Sequence, residues 1–183
     1  MLLKVVYDTG SSNTWVPGKS CSVHKSDKYD HTKSTTYVAN GSSFSILYGS
    51  GAVQGVIDAD DVSIGGLSAA GHLFAETTKE PGPTWAVARF DGILGFGWPE
   101  IAVNDIPPYF NTLMAQGKVA APVFSFYFGT TSGALPRAGG ELTLGGADPA
   151  HYEGELSYVP VSKKGYWQVT AANMTVGTDT IKR

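Results

Sequence analysis

The sequence predicts an all-β domain, and three observations lead to that fold class. Its apolar residues fall in short runs, several of which alternate with polar residues, as is typical of strands. Glycine supplies 23 of the 183 residues, nearly twice the ordinary share of roughly 7%, and this predicts many tight turns. Only one segment combines helical spacing of apolar residues with clear start and stop signals.

Three strand regions are predicted in the first half of the chain. Val5–Asp8 is a strand that ends in a turn. Residues 43–57 form a long hairpin whose small, flexible tip is Gly49-Ser50-Gly51. Residues 91–95 form an apolar strand bounded by glycines, which predicts that the strand is buried.

The second half is predicted to contain the helix and three more strands. The helix occupies residues 107–117, since two prolines begin the segment and a glycine ends it. Residues 122–128 alternate three phenylalanines with other residues and are interpreted as a buried strand. Residues 141–146 and 166–170 are predicted to add two late strands.

The charge and hydrophobicity of the chain exclude several classes of partner. Charged residues are 16% of the chain and the formal net charge is −3, with the basic residues scattered, so we expect no nucleic-acid partner. No apolar run reaches the roughly 18 residues that a membrane-spanning helix needs. The first eight residues are too short and too soon charged to predict a signal peptide.

The residues that commonly bind metals give no metal-site pattern. Cys21 is the only cysteine, which excludes an internal disulfide and a four-thiolate zinc site. The four histidines are far apart, without the short spacings of zinc ligands, so we expect no metal. The acidic stretch at residues 58–61 lacks the pattern of a calcium loop and is interpreted as a solvated strand edge or turn.

The segment Asp8-Thr9-Gly10-Ser11-Ser12-Asn13 is the strongest candidate for chemistry. An acid stands at the end of an apolar strand, followed by a glycine and by hydroxyls that can bond back to the carboxylate. Such an acid would be held rigidly. On these residues alone, an ordinary turn after a strand is an equally good interpretation.

A wider comparison resolves this choice. Residues 5–17, VVYDTGSSNTWVP, resemble the active-site segment of pepsin-family aspartic proteases almost position for position. The resemblance continues in the same order through YGSG at 48–51, FDGILG at 90–95, GELTLGG at 140–146 and YWQV at 166–169. It covers essentially the whole chain. Residues 40–44 and 107–114 look most like the cathepsin D subgroup.

The resemblance implies a fold and a reaction. The implied fold is a pepsin-like lobe, a Greek-key-like β-sandwich or barrel with a hairpin called the flap and one or two short helices. The implied reaction is peptide-bond hydrolysis at acidic pH by two aspartates that share one proton and activate a water, without metal or organic cofactor. A peptide or protein is the implied substrate, and the implied location is lysosomal or vacuolar, or outside the cell after secretion.

The resemblance also assigns roles to individual residues. Asp8 is one of the two catalytic acids, Ser11 is the hydroxyl that orients it, and Thr9 and Gly10 shape the supporting loop. Tyr48, Gly49 and Ser50 are implied to lie in the flap and to contact substrate, and the tip must open and close. Trp15 is implied to bond the flap tyrosine, and Ile93 to line a substrate pocket. For Trp15 and Ile93, a plain core position is the alternative.

The sequence departs from the family pattern in several places. Asp8-Thr9-Gly10 is the only Asp-Thr-Gly or Asp-Ser-Gly triplet. We therefore expect residues 1–183 to be a single N-terminal lobe with truncated ends and without the C-terminal lobe. Alone it would be a half-enzyme, active only with the missing lobe or a second copy. Thr14 stands where the family usually has a larger aliphatic residue, and Cys21 is expected to be unpaired.

One alternative function remains open from the sequence. A non-catalytic peptide-binding module, or an inactive protease homologue, would use the same cleft half and flap without hydrolysis. A carboxylate-pair glycosidase is disfavoured, since no second acid has a setting like that of Asp8.

Asn40 and Asn173 each begin an N-glycosylation sequon, which matters if the chain enters a secretory compartment.

Overall fold

The computed structural model describes residues 1–22, 27–49, 51–129, 139–176 and 179–181. The strands are β1 (Val5–Asp8), β2 (Trp15–Pro17), β3 (Val38–Tyr48), β4 (Gly51–Ile64), β5 (Leu67–Lys79), β6 (Gly92–Gly95), β7 (Phe124–Phe128), β8 (Gly140–Leu144), β9 (Met174–Val176) and β10 (Asp179–Ile181). The α-helices are α1 (Pro83–Ala86) and α2 (Tyr109–Ala115), and short 3₁₀ turns lie at His31–Lys33, Pro99–Ile101, Val103–Asp105 and Pro149–His151. The predicted all-β class is confirmed.

A mixed six-stranded sheet forms the body of the fold. Its strand order is β1-β6-β2-β5-β4-β3, so the chain inserts β6 between two strands that precede it by more than seventy residues. β6 runs parallel to β1 and pairs with β2 through Trp15 and Ile93. This insertion places the end of β6 directly against the loop that follows Asp8.

The long hairpin predicted at residues 43–57 is present and is longer than expected. β3 and β4 pair from Tyr48 with Gly51 down to Val38 with Ala59, with a register shift between Ala39 and Ser42. We call β3 and β4 together the flap hairpin. β4 then pairs with β5, which the sequence analysis did not predict.

The predicted helix is confirmed as α2. Pro108 is its N-cap residue, and Gly117 follows it with a φ of 64°, a conformation that glycine adopts without strain. Its buried face consists of Tyr109, Phe110 and Leu113. These residues pack with Leu94 and Phe96, which connects the helix to the strand beside the candidate site.

The hydrophobic core forms two main clusters on either side of β6. The first comprises Trp15, Phe44, Val53, Ile57, Ala75, Trp85, Ile93 and Ile106. The second comprises Ala69, Leu94, Phe96, Tyr109, Phe110 and Leu113. Since β6 contributes Ile93 to one cluster and Leu94 to the other, alternate side chains of this strand join the two clusters.

Two predictions about strands need correction. Residues 166–170 are not a strand: residues 164–167 form a turn closed by a bridge between Lys163 and Gln168. Gly165 turns the chain with a φ of 111°, and the Trp167 indole bonds back to the Phe96 carbonyl at 2.9 Å. β7 is only partly covered, in contrast to the buried β6; in the described part of the chain it forms a two-stranded sheet with β8, outside the six-stranded sheet that contains β6.

Among the described residues, no helix is long and apolar enough to cross a membrane.

Candidate active site

The Asp8 carboxylate lies at the end of β1 and is held by the loop that follows it. Gly10 donates its main-chain N–H to Asp8 Oδ1 at 2.9 Å, and Ser11 Oγ donates to Asp8 Oδ2 at 2.5 Å. Both carboxylate oxygens therefore have a fixed partner within three residues. Asp8 is half-buried, whereas Thr9 and Gly10 are exposed, so the acid faces an accessible surface.

The loop is fixed in turn by the chain after β6. Phe96 donates its N–H to the Asp8 carbonyl at 2.7 Å, and Gly97 donates to the Ser11 carbonyl at 2.8 Å. Ser12 Oγ donates to the Trp98 carbonyl at 2.6 Å. The loop that holds Asp8 is thus bonded both within itself and to a segment almost ninety residues away.

Asn13 connects this loop to another distant segment through its buried side chain. Its side chain, 1% exposed, donates to the Val103 carbonyl at 3.0 Å and accepts from the Val103 N–H at 2.8 Å. This two-point bond joins the Asp8 loop to a 3₁₀ turn. Asn13 belongs to the sequence motif, but its role could not be predicted from the motif, since its partner lies 90 residues away.

We expect Asn13→Ala to lower the free energy of unfolding by about 2 kcal/mol, because the N–H and carbonyl of Val103 lose their partner near a buried site. Urea denaturation measures the change. Asn111→Ala is the matched control, since Asn111 is a partly exposed residue of α2. Equal losses in the two variants would contradict this role of Asn13.

Tyr48, at the end of β3, connects the flap hairpin to Trp15. Trp15 Nε1 donates to the Tyr48 hydroxyl at 3.0 Å, and Trp15 itself is fully buried. Burial raises the pKa of Tyr48, the bonds with Trp15 and Ser11 oppose that rise, and the charge of Asp8 adds to it. The tyrosine hydroxyl therefore lies within electrostatic reach of the candidate acid.

The remaining residues assigned by resemblance have different surroundings. Gly49 is exposed, and a Cβ added there would meet no atom within 4 Å. Ser50 lies outside the described residues. Ile93 is 8% exposed and packs in the core cluster of Trp15. Substrate contact by these three residues stays a prediction.

An apolar groove opens beside the Asp8 loop. It has a volume of about 570 Å³, and its lining includes Thr9, Trp98, Phe110, Met114, Phe124 and Trp167. Its wall contains the indole pair Trp98 and Trp167, whose ring centres are 4.9 Å apart. This groove was not predicted from the sequence, because its residues come from separate parts of the chain.

The acidic stretch at residues 58–61 is not a solvated edge, and that expectation was wrong for two of its three acids. Asp58 is 2% exposed and Asp60 is 6% exposed. Asp60 accepts from the hydroxyls of Tyr29 at 2.6 Å and Ser34 at 2.9 Å, and also from Thr36. Hydroxyl donors contributed by distant segments make this burial possible.

A second polar cluster lies away from the Asp8 loop. Donor atoms of Glu141, Asp148 and His151 lie within 4.8 Å of one another, although the histidine spacings in the sequence predict no metal site. His151 Nε2 is 3.3 Å from Glu141 Oε2, and its ring stacks on Tyr127. These contacts tie a 3₁₀ turn to β7 and β8.

Three other predictions concern Cys21 and the sequons. Cys21, which was expected to be unpaired, is a free cysteine, and its side chain is buried. Asn40 and Asn173 are both exposed, so either side chain is accessible for modification. Asn40 lies at the register shift of the flap hairpin, where its side chain accepts from the Ser42 N–H at 3.1 Å.

Comparisons with known proteins agree with the resemblance. The sequence profile of the family described as eukaryotic aspartyl protease matches residues 2–183. The chain is 47% identical over 184 residues to vacuolar protease A of Arthroderma otae and 47% identical over 180 residues to cathepsin E of Rattus norvegicus. It is 44% identical over 184 residues to cathepsin D of Clupea harengus. In all three alignments, 97% of this chain covers only 44–46% of the relative, so the chain spans less than half the length of these relatives.

Proposed function

Because the chain belongs to the eukaryotic aspartyl protease family, we propose that it is the N-terminal lobe of an aspartic endopeptidase and that Asp8 is one of its two catalytic acids. The observation that carries this proposal is the fixed carboxylate of Asp8. It is held by the Gly10 N–H and the Ser11 hydroxyl, at the accessible end of β1. Ser11 and Gly10 are then positioning residues, and Thr9 shapes the loop.

The proposed chemistry uses a second carboxylate opposite Asp8. Two carboxyl groups that lie close together share one proton, since both cannot be ionised at the same time. The ionised acid takes a proton from a water, the water oxygen attacks the peptide carbonyl carbon, and the protonated acid gives its proton to the carbonyl oxygen. The acid that took the water proton then gives it to the amide nitrogen, while the other acid takes a proton from a hydroxyl of the tetrahedral intermediate. The C–N bond breaks as the carbonyl re-forms, and the two acids again share one proton. Asp8 supplies one carboxylate in each step.

The second acid is proposed to come from the C-terminal lobe of a longer protein. The sequence has one Asp-Thr-Gly triplet and covers less than half of its relatives, which leaves room for another lobe. The groove beside Thr9 continues into exposed apolar side chains, including Tyr158 at 80% and Trp167 at 45% exposure. A monomer rarely leaves such a surface uncovered. A second copy of the chain is the other candidate for this face.

Cleavage of a quenched fluorogenic peptide with a bulky apolar pair at the scissile bond tests the proposal. The assay covers pH 3–7 and a range of protein concentrations, with and without pepstatin, on this chain and on a longer form that carries a second Asp-Thr-Gly or Asp-Ser-Gly lobe. We expect turnover from the longer form, abolished by pepstatin and by Asp8→Asn. Turnover by this chain alone that rises with the square of concentration would assign the second acid to another copy.

The matched control is Asp61→Asn, which changes an exposed carboxylate outside the Asp8 loop. It should leave turnover unchanged. The contrary result is a longer form that shows no turnover and binds peptide with the same affinity whether or not it carries Asp8→Asn. That result would contradict the protease assignment and favour a non-catalytic peptide-binding module. The name of one relative, vacuolar protease A, supports a vacuolar location for the enzyme.

A further inference from the structure

Two indole N–H groups hold the flap hairpin just below its tip, one on each strand. On β3, Trp15 Nε1 donates to the Tyr48 hydroxyl at 3.0 Å. On β4, Trp85 Nε1 donates to the Ala52 main-chain carbonyl, also at 3.0 Å. Tyr48 pairs with Gly51 and Leu47 pairs with Ala52, so the two bonds engage neighbouring rungs of the hairpin.

Trp85 reaches this position from helix α1, which the sequence analysis did not predict. Its side chain is 2% exposed. The indole packs edge to face on Trp15, with ring centres 5.2 Å apart, and also contacts Tyr48 at 6.0 Å and Phe90 at 6.4 Å. Packing on several sides therefore fixes the ring independently of the hydrogen bond from its N–H.

The first residue of β4 leaves space for this indole. A Cβ at Gly51 would lie 2.7 Å from Trp85 Nε1 and 3.3 Å from Cε2, and the φ of Gly51 is 149°. Both the close approach and the backbone conformation favour glycine at this position. The absence of a side chain lets the indole reach the strand backbone.

We propose that Trp85 is a positioning residue that anchors β4 of the flap hairpin through its indole N–H, in addition to the bond from Trp15 to β3. A main-chain carbonyl accepts the bond, so side-chain rotation on the flap cannot release it. The anchor fixes the backbone on the β4 side of the tip, while Trp15 fixes the β3 side. This inference concerns the hairpin itself and does not depend on peptide hydrolysis.

Hydrogen–deuterium exchange on the full chain tests the anchor, with wild type compared to Trp85→Phe. Phenylalanine keeps an aromatic ring but removes the N–H. We expect amides in residues 44–56 of the variant to exchange roughly fivefold faster, as the loss of one hydrogen bond implies. Amides of β6 should keep their wild-type rates, because they do not depend on this bond.

Phe90→Leu is the matched control, since it removes a ring that packs on Trp85 and leaves the indole N–H in place. We expect flap exchange in this variant to stay at the wild-type rate. Equal acceleration in Trp85→Phe and Phe90→Leu, or acceleration spread evenly over all strands, would show that Trp85 acts only through packing and would overturn the proposal.

A measurement on the wild type covers the case in which Trp85→Phe does not fold. The indole proton of Trp85 can be assigned by NMR from its proximity to Trp15 and Ala52. We expect it to exchange with solvent as slowly as the flap amides do, because the same opening of β4 exposes both. An indole proton that exchanges faster than those amides would overturn the anchor.

Discussion

Gly95→Ala is expected to lower the free energy of unfolding by about 3 kcal/mol or more. A Cβ at this position would lie 2.3 Å from the Ser12 carbonyl carbon and 2.6 Å from both the Ser12 Cα and carbonyl oxygen. All three atoms belong to the main chain, so no side-chain rotation relieves the overlap. Either β6 or the Asp8 loop must move, and urea denaturation measures the loss.

Gly146→Ala is the matched control for this prediction. A Cβ at Gly146 would meet no atom within 4 Å, and its φ is not in the positive region. Alanine there should leave stability unchanged or raise it by up to about 1 kcal/mol, because the unfolded chain loses conformational freedom. Similar stabilities for the two variants would contradict the close approach of β6 to the Asp8 loop.

The second large effect is a loss of stability in acid that His72 causes. Its side chain is 1% exposed, and burial lowers its pKa from 6.5 to about 4. The unfolded chain therefore binds a proton as the pH falls below 6.5, while the folded chain does not until about pH 4. Stability should fall across this interval, by at most roughly 3 kcal/mol from this residue, and level off below it.

The contacts of His72 explain why its neutral form is favoured. Its two ring nitrogens lie 3.0 Å from Thr112 Oγ1 and 3.2 Å from Thr14 Oγ1, and its ring contacts Tyr109 edge to face. These hydroxyls can bond a neutral imidazole but carry no charge to offset protonation. Thr14 thereby has a hydrogen-bond partner in His72.

Urea midpoints of wild type and His72→Gln between pH 7.5 and 4 isolate this contribution. The variant should be less stable than wild type at neutral pH but lose less stability on acidification, because glutamine does not titrate. The titration of carboxylates changes the free energy of unfolding of both proteins alike, so it cancels in the comparison. Parallel pH profiles, or an imidazole that NMR finds protonated well above pH 4, would contradict the assignment to His72.

His31 acts in the opposite direction. Its hydrogen bond with Glu76 and the charge of that residue raise its pKa above 6.5. The contribution of this pair is fully present below pH 6.5 and is lost as the pH rises through the raised pKa. The chain thus contains one histidine that favours folding in acid and another that opposes it.

The sequence by itself determined the local part of the site. Asp8 bonds Gly10 and Ser11, which are two and three residues away, so the chain from strand to turn already brings these groups together. Val5–Asp8 and α2 were predicted for the same reason, since the turn that follows the strand and the proline and glycine that flank the helix are close to each element in sequence. The family followed from the order of these local motifs.

Only the tertiary structure decided the contacts between distant segments. Asn13 bonds Val103 across 90 residues, His72 reaches Thr14 across 58, and Trp85 reaches Ala52 across 33. A buried polar group is stable only where another segment supplies its partner, and the packing of strands, helices and 3₁₀ turns determines which segment that is. Local patterns therefore predicted the Asp8 loop, whereas the buried acids, the neutral His72 and the Trp85 anchor depended on which strands, helices and loops became neighbours.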